Sequence, residues 1–253
     1  MVAERADARS AVPTISVVIP VKDDAEMLQR CLRSLARQTR RADEIVVVDN
    51  GSTDDSAAVA RAHGARVLVE ARPGITAAAS AGYDGARGGI IARCDADSIL
   101  PEDWLERIER AFHDDPAIEA ITGPGRFYDL PPFGRAVANL FYMRAYFVLA
   151  GAALAATPLF GSNFAMRATT WRRVSATVPR DRPAIHDDFD LSFRFEPSGN
   201  VRYDPDLVVG ISGRPFRDAR AMVRRTGMAM ATIAQHLPQE NPVRRWFRRM
   251  RAA

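Results

Sequence analysis

The first patterned stretch is ISVVIPV, Ile15–Val21, a β-branched run with a single polar residue. A run that short and that apolar predicts a strand buried on both faces. Asp23 or Asp24 then offers a cap for a helix whose apolar positions Ala25, Leu28, Cys31, Leu32 and Leu35 return at helical spacing. The alternation repeats. EIVVVD predicts a second strand, and NGSTDDS supplies a Ser/Thr cap with Asp54 and Asp55 in the first turn of a helix that ends at Gly64. Residues 67–69 predict a third strand, and 76–86 an alanine-rich helix that Gly82 weakens. Residues 90–94 predict a fourth strand, and Pro101 stands at the first position of a helix carrying Trp104, Leu105, Ile108 and Phe112 on one side.

Strands alternating with helices of this length predict an α/β fold, built from right-handed βαβ units around a mainly parallel sheet. Ligands of such sheets bind beyond the carboxyl ends of the strands. Asp23 and Asp24, Asp49, and Asp95 with Asp97 all fall at those ends. After Pro132 the pattern changes. The segment 145–160 (AYFVLAGAALAATPLF) has no charge over sixteen residues. A membrane span needs about 20 apolar residues, so this one predicts a core helix or an interfacial one.

Composition adds little to the fold and something to the partners. At 253 residues, 47% hydrophobic and 26% charged, the chain is globular and not disordered. The net charge of +4 is uneven: ten arginines against Asp218 and Glu240 give +8 between Ile211 and Arg251, leaving −4 on the rest. A basic end on an acidic body predicts an anionic surface or ligand, or simply a solvated polar face. RRWFRRMR, from Arg244, has the arrangement of a helix lying on an anionic membrane. Cys31 and Cys94 both read as small buried hydrophobes, which excludes a disulfide framework or a cysteine-rich metal site. The start, MVAERADARSAVP, lacks the apolar core of a signal peptide, so a flexible leader over 1–13 and a cytoplasmic location are expected, with the basic end allowing a peripheral place at the inner face of a membrane.

The chemistry concentrates at 90–104, IIARCDADSILPEDW. Asp95-Ala96-Asp97 places two hard carboxylates at the end of a buried strand, a donor set suited to Mg²⁺ or Mn²⁺ that also takes phosphate oxygens. The plain alternative is a turn or a helix cap before Pro101. Asp187, Asp188 and Asp190 equally fit an acid-rich helix N-terminus.

Five segments, ISVVIPVKDD, EIVVVDNGSTDDS, RCDADSILPEDWL, GSNFAMR and HDDFDLSFRFEPSGNVRYDPDLVV, together resemble the inverting family 2 glycosyltransferases with the GT-A fold, from about Thr14 to Ser212. The resemblance implies a nucleotide-sugar donor and a divalent cation, Mg²⁺ or Mn²⁺. It implies that Pro20, Val21 and Asp24 form the nucleotide loop and that Asp49 bonds the base. Asp95 and Asp97 would be the ribose and metal-diphosphate carboxylates, and Gly161-Ser162-Asn163 the turn near the transferred sugar. Asp187-Asp188 stands where the family has Glu-Asp, making Asp188 the general base. There are departures. Asn50 replaces a common second aspartate, Lys22 a common aromatic, and Ala79-Ser80-Ala81-Gly82 a common Arg-Asn-x-Gly, for which Arg72 is a candidate substitute. Ile211-Ser212-Gly213-Arg214 stands where some members have a metal-binding histidine. That leaves the metal fewer ligands or makes Arg214 a partner of the diphosphate. Gly123-Pro124-Gly125 is most simply a turn, and His186 a neighbour of the base.

The implied organisation is a transferase domain over 14–215, with a nucleotide half at 14–123 and an acceptor half at 124–215, followed by a basic helical extension at 216–253. The acceptor would be a glycan or a lipid-linked hydroxyl, contacted by 127–160, and no nucleic acid is expected. Two other readings stay open: a non-catalytic nucleotide-sugar-binding protein on the same fold, and a nucleotidyltransferase. The second wants a basic, glycine-rich loop after the first strand, and VKDDAEML is the opposite.

Overall fold

The protein is described here by a computed structural model covering residues 13–182, 184–214 and 219–252; the expected leader lies almost wholly outside it. Four strands, β1 (Ile15–Val21), β2 (Glu44–Asp49), β3 (Arg66–Val69) and β4 (Ile90–Arg93), run parallel in the order β3-β2-β1-β4. Helices α1 (Ala25–Leu35), α2 (Ser56–Ala62), α3 (Ile75–Gly85) and α4 (Trp104–Asp114) alternate with them. The sheet continues through β7 (Phe164–Arg167), β5 (Ala120–Thr122) and β8 (Val201–Tyr203), with β7 antiparallel to both its neighbours. A small second sheet pairs β6 (Gly125–Phe127) with β9 (Val209–Ile211).

β1 shows why its sequence is apolar throughout. Ile15, Val17, Ile19 and Val21 pack with α1, α2 and α4 on one face. Val18 packs with α3 on the other, beside α7 (Ala168–Val174) and α8 (Asp187–Phe193). With helices on both faces the strand has no solvated side to make polar. Gly82 belongs to the same close packing. A Cβ there would run into Val18 and Val48, so the glycine that weakens α3 as a helix is what lets it approach the sheet. The two cysteines are buried and face each other, Sγ to Sγ 3.8 Å.

One boundary differs from expectation. α4 begins at Trp104, not at Pro101, because the Pro101 carbonyl accepts Gln38 Nε2 at 2.5 Å and Trp104 N–H at 3.2 Å in a preceding turn.

Residues 145–154 of the uncharged segment lie in α6 (Met143–Leu154), reached through α5 (Pro132–Val137) and stopped at Ala155, which turns left-handed with φ of 52°. Its Met143, Ala150 and Leu154 are buried, whereas Val148 and Leu149 are exposed. Among the described residues no helix is long and apolar enough to cross a membrane. Two C-terminal helices, α9 (Ala219–His236) and α10 (Pro242–Ala252), pack on α8 and α6 respectively. α10 lies on the surface as expected, except for one arginine. Arg245 is fully buried, donating to the carbonyls of Leu154 at 2.6 Å, Phe193 at 3.0 Å and Phe195 at 2.8 Å. It thereby closes the ends of both α6 and α8, where carbonyls lack helical partners. Trp246 Nε1 and Arg249 add bonds to Ala152 and Ala155, leaving Val243, Phe247 and Met250 exposed.

Candidate active site

The carboxyl ends of β1, β2 and β4 open on one edge of the sheet. β7 runs antiparallel with Phe164 opposite Arg93, so the turn 161–163 that precedes it lies beside the end of β4.

After β1, Asp23 adopts a φ of 49° and accepts Thr53 N–H at 2.6 Å and Thr53 Oγ1 at 3.0 Å. Those bonds hold its carboxyl below the usual range. Asp54 reaches across to accept the Ala25 N–H at 2.9 Å, capping α1 from a neighbouring loop. Asp24, at the cap position itself, makes no side-chain cap bond and turns its carboxylate elsewhere. Pro20 and Val21 are buried within β1, with Val21 in the core. Asp49 shapes the β2 turn by accepting Ser52 N–H at 2.9 Å. Asn50 binds the next crossover: its amide donates to the carbonyls of Glu70 and Arg72 at 2.8 and 2.7 Å and accepts Gly74 N–H at 2.8 Å. Arg72 itself is paired with Glu70 through two bonds of 2.8–2.9 Å.

Asp95 and Asp97 end β4 in a turn closed by Ser98, whose N–H reaches the Asp95 carbonyl at 3.0 Å and whose Oγ accepts the Asp95 N–H at 3.2 Å. The Asp95 carboxylate takes Arg93 at 3.1 Å and Ser162 Oγ at 2.6 Å. Burial, and Asp95 beside it, push the Asp97 carboxyl up against the pull of Arg214. Arg214 grips Asp24 with both arms of its guanidinium, at 3.0 and 2.5 Å, and Asp97 Oδ2 with one, at 2.8 Å.

The acids of α8 face the same edge. Asp187 is ion-paired with the buried Arg93, which is shared with Asp95. Asp188 Oδ2 accepts the Gly161 N–H at 2.5 Å, and its Oδ1 is hydrogen-bonded to His186 Nδ1 at 2.6 Å. Burial works against its charge, but His186, Arg93 and the Gly161 amide outweigh it and hold the carboxyl at about 2. Asp188 is therefore ionised at neutral pH. Among the described residues, His186, Asp187 and Asp188 form a group whose ligand atoms all lie within 4.8 Å of one another.

The structure thus brings together Asp24 and Asp97 through Arg214 on one side, and on the other Asp95 and Asp187 through Arg93, with Ser162 on Asp95 and Gly161 on Asp188. It sets Asn163 apart. That side chain is fully buried, accepting Trp104 Nε1 at 2.8 Å and donating to the carbonyls of Pro124 and Leu207. It braces the turn.

Arg93 and Asp190 were not singled out as site residues from sequence. A lone arginine inside IIARC was the available signal, since a charge on a strand buried on both faces requires partners. Asp190 is wholly buried and holds Arg194, His236 and Gln235, tying α8 to α9. Its partners lie up to 46 residues away.

Comparison with known proteins gives a consistent picture. The model of Glycosyl transferase family 2 matches residues 16–168. The glycosyltransferase AglE of Haloferax volcanii is 37% identical over 124 residues, 46% of this chain and 38% of that protein. The uncharacterized glycosyltransferase Rv0539 of Mycobacterium tuberculosis is 37% identical over 112 residues, 44% of this chain and 49% of that protein. These matches span less than half of either relative. Among solved structures, the mannosyltransferase PcManGT of Pyrobaculum calidifontis, in complex with GDP-Man and Mn²⁺, superposes with a TM-score of 0.63 at 19% identity, covering 96% of this chain and 74% of that one. Glucosyl-3-phosphoglycerate synthase of Mycobacterium tuberculosis, with Mn²⁺, UDP and glucosyl-3-phosphoglycerate, gives 0.61 at 21% identity, covering 88% and 79%. At these identities the structural likeness establishes the GT-A fold.

Proposed function

Because the chain belongs to glycosyl transferase family 2, we propose that it moves a sugar from a nucleotide-diphosphate donor to an acceptor hydroxyl in one inverting displacement. The observation that carries this reading is Asp188: an ionised carboxylate at the start of α8, tethered to the Gly161 amide in the turn beside Asp95.

In this reading the nucleotide lies across the strand ends, its base toward Asp49 and its ribose toward Asp95, with Pro20, Val21 and Asp24 forming the floor of the loop. Gly161 and Asp187 face the sugar. Asp188 accepts the proton of the attacking hydroxyl, a role worth about 10²–10⁴ in rate. The Gly161 amide and His186 fix the direction of that carboxylate, so the base is oriented before the acceptor arrives. Attack and departure occur in one step, and no covalent enzyme intermediate forms.

The charges around the strand ends suit a divalent cation. The carboxylates of Asp24, Asp95, Asp97 and Asp187 are shared between Arg93 and Arg214, a surplus of negative charge on hard oxygens. Asp97, with Asp95 beside it, would hold Mg²⁺ or Mn²⁺. When bound, the ion neutralises charge developing on the diphosphate leaving group. The Mn²⁺ in PcManGT and in the glucosyl-3-phosphoglycerate synthase supports a divalent cation as the partner of such a fold.

The acceptor, a glycan or lipid-linked hydroxyl, would approach from 127–160, where α6 exposes Val148 and Leu149. The exposed Phe247 and Met250 of α10, among arginines, are the surface through which an anionic membrane would be met. The test is a thermal-shift panel of nucleoside diphosphates with and without Mn²⁺. A ligand at 100 times its Kd adds about 2.7 kcal/mol of stability. A shift that requires one base and Mn²⁺ is expected. No shift with any nucleotide, and no hydrolysis or transfer of any nucleotide sugar, overturns the reading.

A further inference from the structure

Arg214 occupies an unusual place for a half-exposed side chain. Its backbone is fixed from below: Asp129 accepts Gly213 N–H at 2.5 Å and Ser212 Oγ at 2.8 Å, and Ser212 Oγ accepts Arg214 N–H at 3.2 Å. From that base the guanidinium spans two loops, taking Asp24 after β1 and Asp97 after β4. The geometry on Asp24 is the two-pronged fork that only arginine makes well. Asp24 is free for it because Asp54 caps α1 in its stead. One residue thus sets a permanent positive charge on the carboxylate that the proposed function assigns to the metal.

We propose that Arg214 is an electrostatic latch, which keeps a free divalent cation off Asp97 until a diphosphate draws the guanidinium away. The inference rests on the proposed function for the identity of the diphosphate. A divalent ion approaching Asp97 meets a like charge 2.8 Å from its ligand oxygen, and at that range repulsion between cations is strong. A diphosphate reverses the balance. Its oxygens offer Arg214 a bidentate anionic partner in place of Asp97, and they supply the ion with further ligands. Metal and nucleotide therefore bind with positive coupling, and linkage requires the coupling to be mutual. No covalent bond is made or broken in the switch.

The experiment measures Mn²⁺ uptake by the full chain, from the signal of free Mn²⁺ in electron paramagnetic resonance, first with no nucleotide present. Wild type is expected to bind Mn²⁺ weakly and Arg214→Met at least about 10-fold more tightly, a gain of about 1.4 kcal/mol. Arg214→Lys, which keeps the charge, is expected to stay within about threefold of wild type. The gain in Arg214→Met is expected to vanish in Arg214→Met/Asp97→Asn. Equal or weaker Mn²⁺ binding in Arg214→Met overturns the latch. So does a gain that Arg214→Lys shares in full, or one that survives loss of Asp97. With UDP or GDP added, wild-type Mn²⁺ affinity is expected to rise toward that of Arg214→Met, and a rise of the same factor in both proteins overturns the coupling. If no nucleoside diphosphate of the panel binds and no nucleotide sugar is turned over, the transferase reading fails, while the nucleotide-free arm still decides whether Arg214 guards Asp97.

Discussion

Gly161 donates its amide proton to Asp188 Oδ2 at 2.5 Å, tying the turn before β7 to the first turn of α8. Glycine is required by the closeness of that approach. A Cβ at 161 would stand 2.8 Å from Asp188 Oδ2 and 3.3 Å from Arg93 Nη1, so the carboxylate would have to move. Gly161→Ala should lower kcat by about 10-fold or more, part of the 10²–10⁴ that an aligned base contributes, while thermal stability changes little. Steady-state rates beside a melting curve check it. A variant with unchanged kcat means that the position of Asp188 does not matter to the reaction.

Removing the charge of Asp188 is the sharper case. Asp188→Asn keeps an oxygen for the Gly161 amide but cannot take a proton at neutral pH. Donor affinity should stay within a few-fold and kcat should fall by about 10²–10⁴. The same substitution at Asp187, which is paired with Arg93, should cost less in kcat. Near wild-type turnover by Asp188→Asn with its true acceptor would transfer the role of base to Asp187.

Arg93 is fully buried between Asp187 and Asp95, so its loss strands the buried Asp187 carboxylate, while Asp95 keeps about a third of its side chain in water. Breaking such a pair from one side costs about 3–5 kcal/mol. Arg93→Met should therefore destabilise the protein by that order in a denaturant titration, as well as lowering turnover. A loss below about 1 kcal/mol would show that water reaches these acids freely.

These cases show what the sequence made legible. Strand-end reasoning located Asp24, Asp49, Asp95 and Asp97 because an apolar run followed by an acid reads locally. The acids of α8 were readable from the family's motif order. The pairings were not. Arg93 meets Asp187 across 94 residues, Arg214 meets Asp24 across 190, and Arg245 meets the Leu154 carbonyl across 91. No local pattern encodes such distances. Asn163 shows the converse: the motif is a good guide to the turn, yet burial commits its side chain to Trp104, Pro124 and Leu207. The basic tail is legible only in part for the same reason: charge pattern alone cannot tell an exposed arginine from Arg245, which closes two helices from within.

The pair Glu70–Arg72 gives a prediction in pH. Asn50 holds their carbonyls, so the pair sits on the loop that leads into α3. The Arg72 guanidinium, joined by its backbone N–H, holds the Glu70 carboxyl at about 2, against an ordinary value of 4.5, although burial opposes it. A carboxyl lowered in the folded state stabilises that state above its unfolded value, and the contribution is lost as pH falls toward the folded value. Wild type should therefore melt above Glu70→Gln at neutral pH, by about 1–3 °C given that Arg72 is half-exposed and screened. The gap should narrow from about pH 4.5 downward and close near pH 2. Added salt should shrink it at neutral pH, because one partner faces water. Melting curves of both proteins at matched ionic strength between pH 7 and 2.5 decide the matter. A gap that stays constant over that range would mean that Glu70 acts through the shape of its side chain and not through its charge.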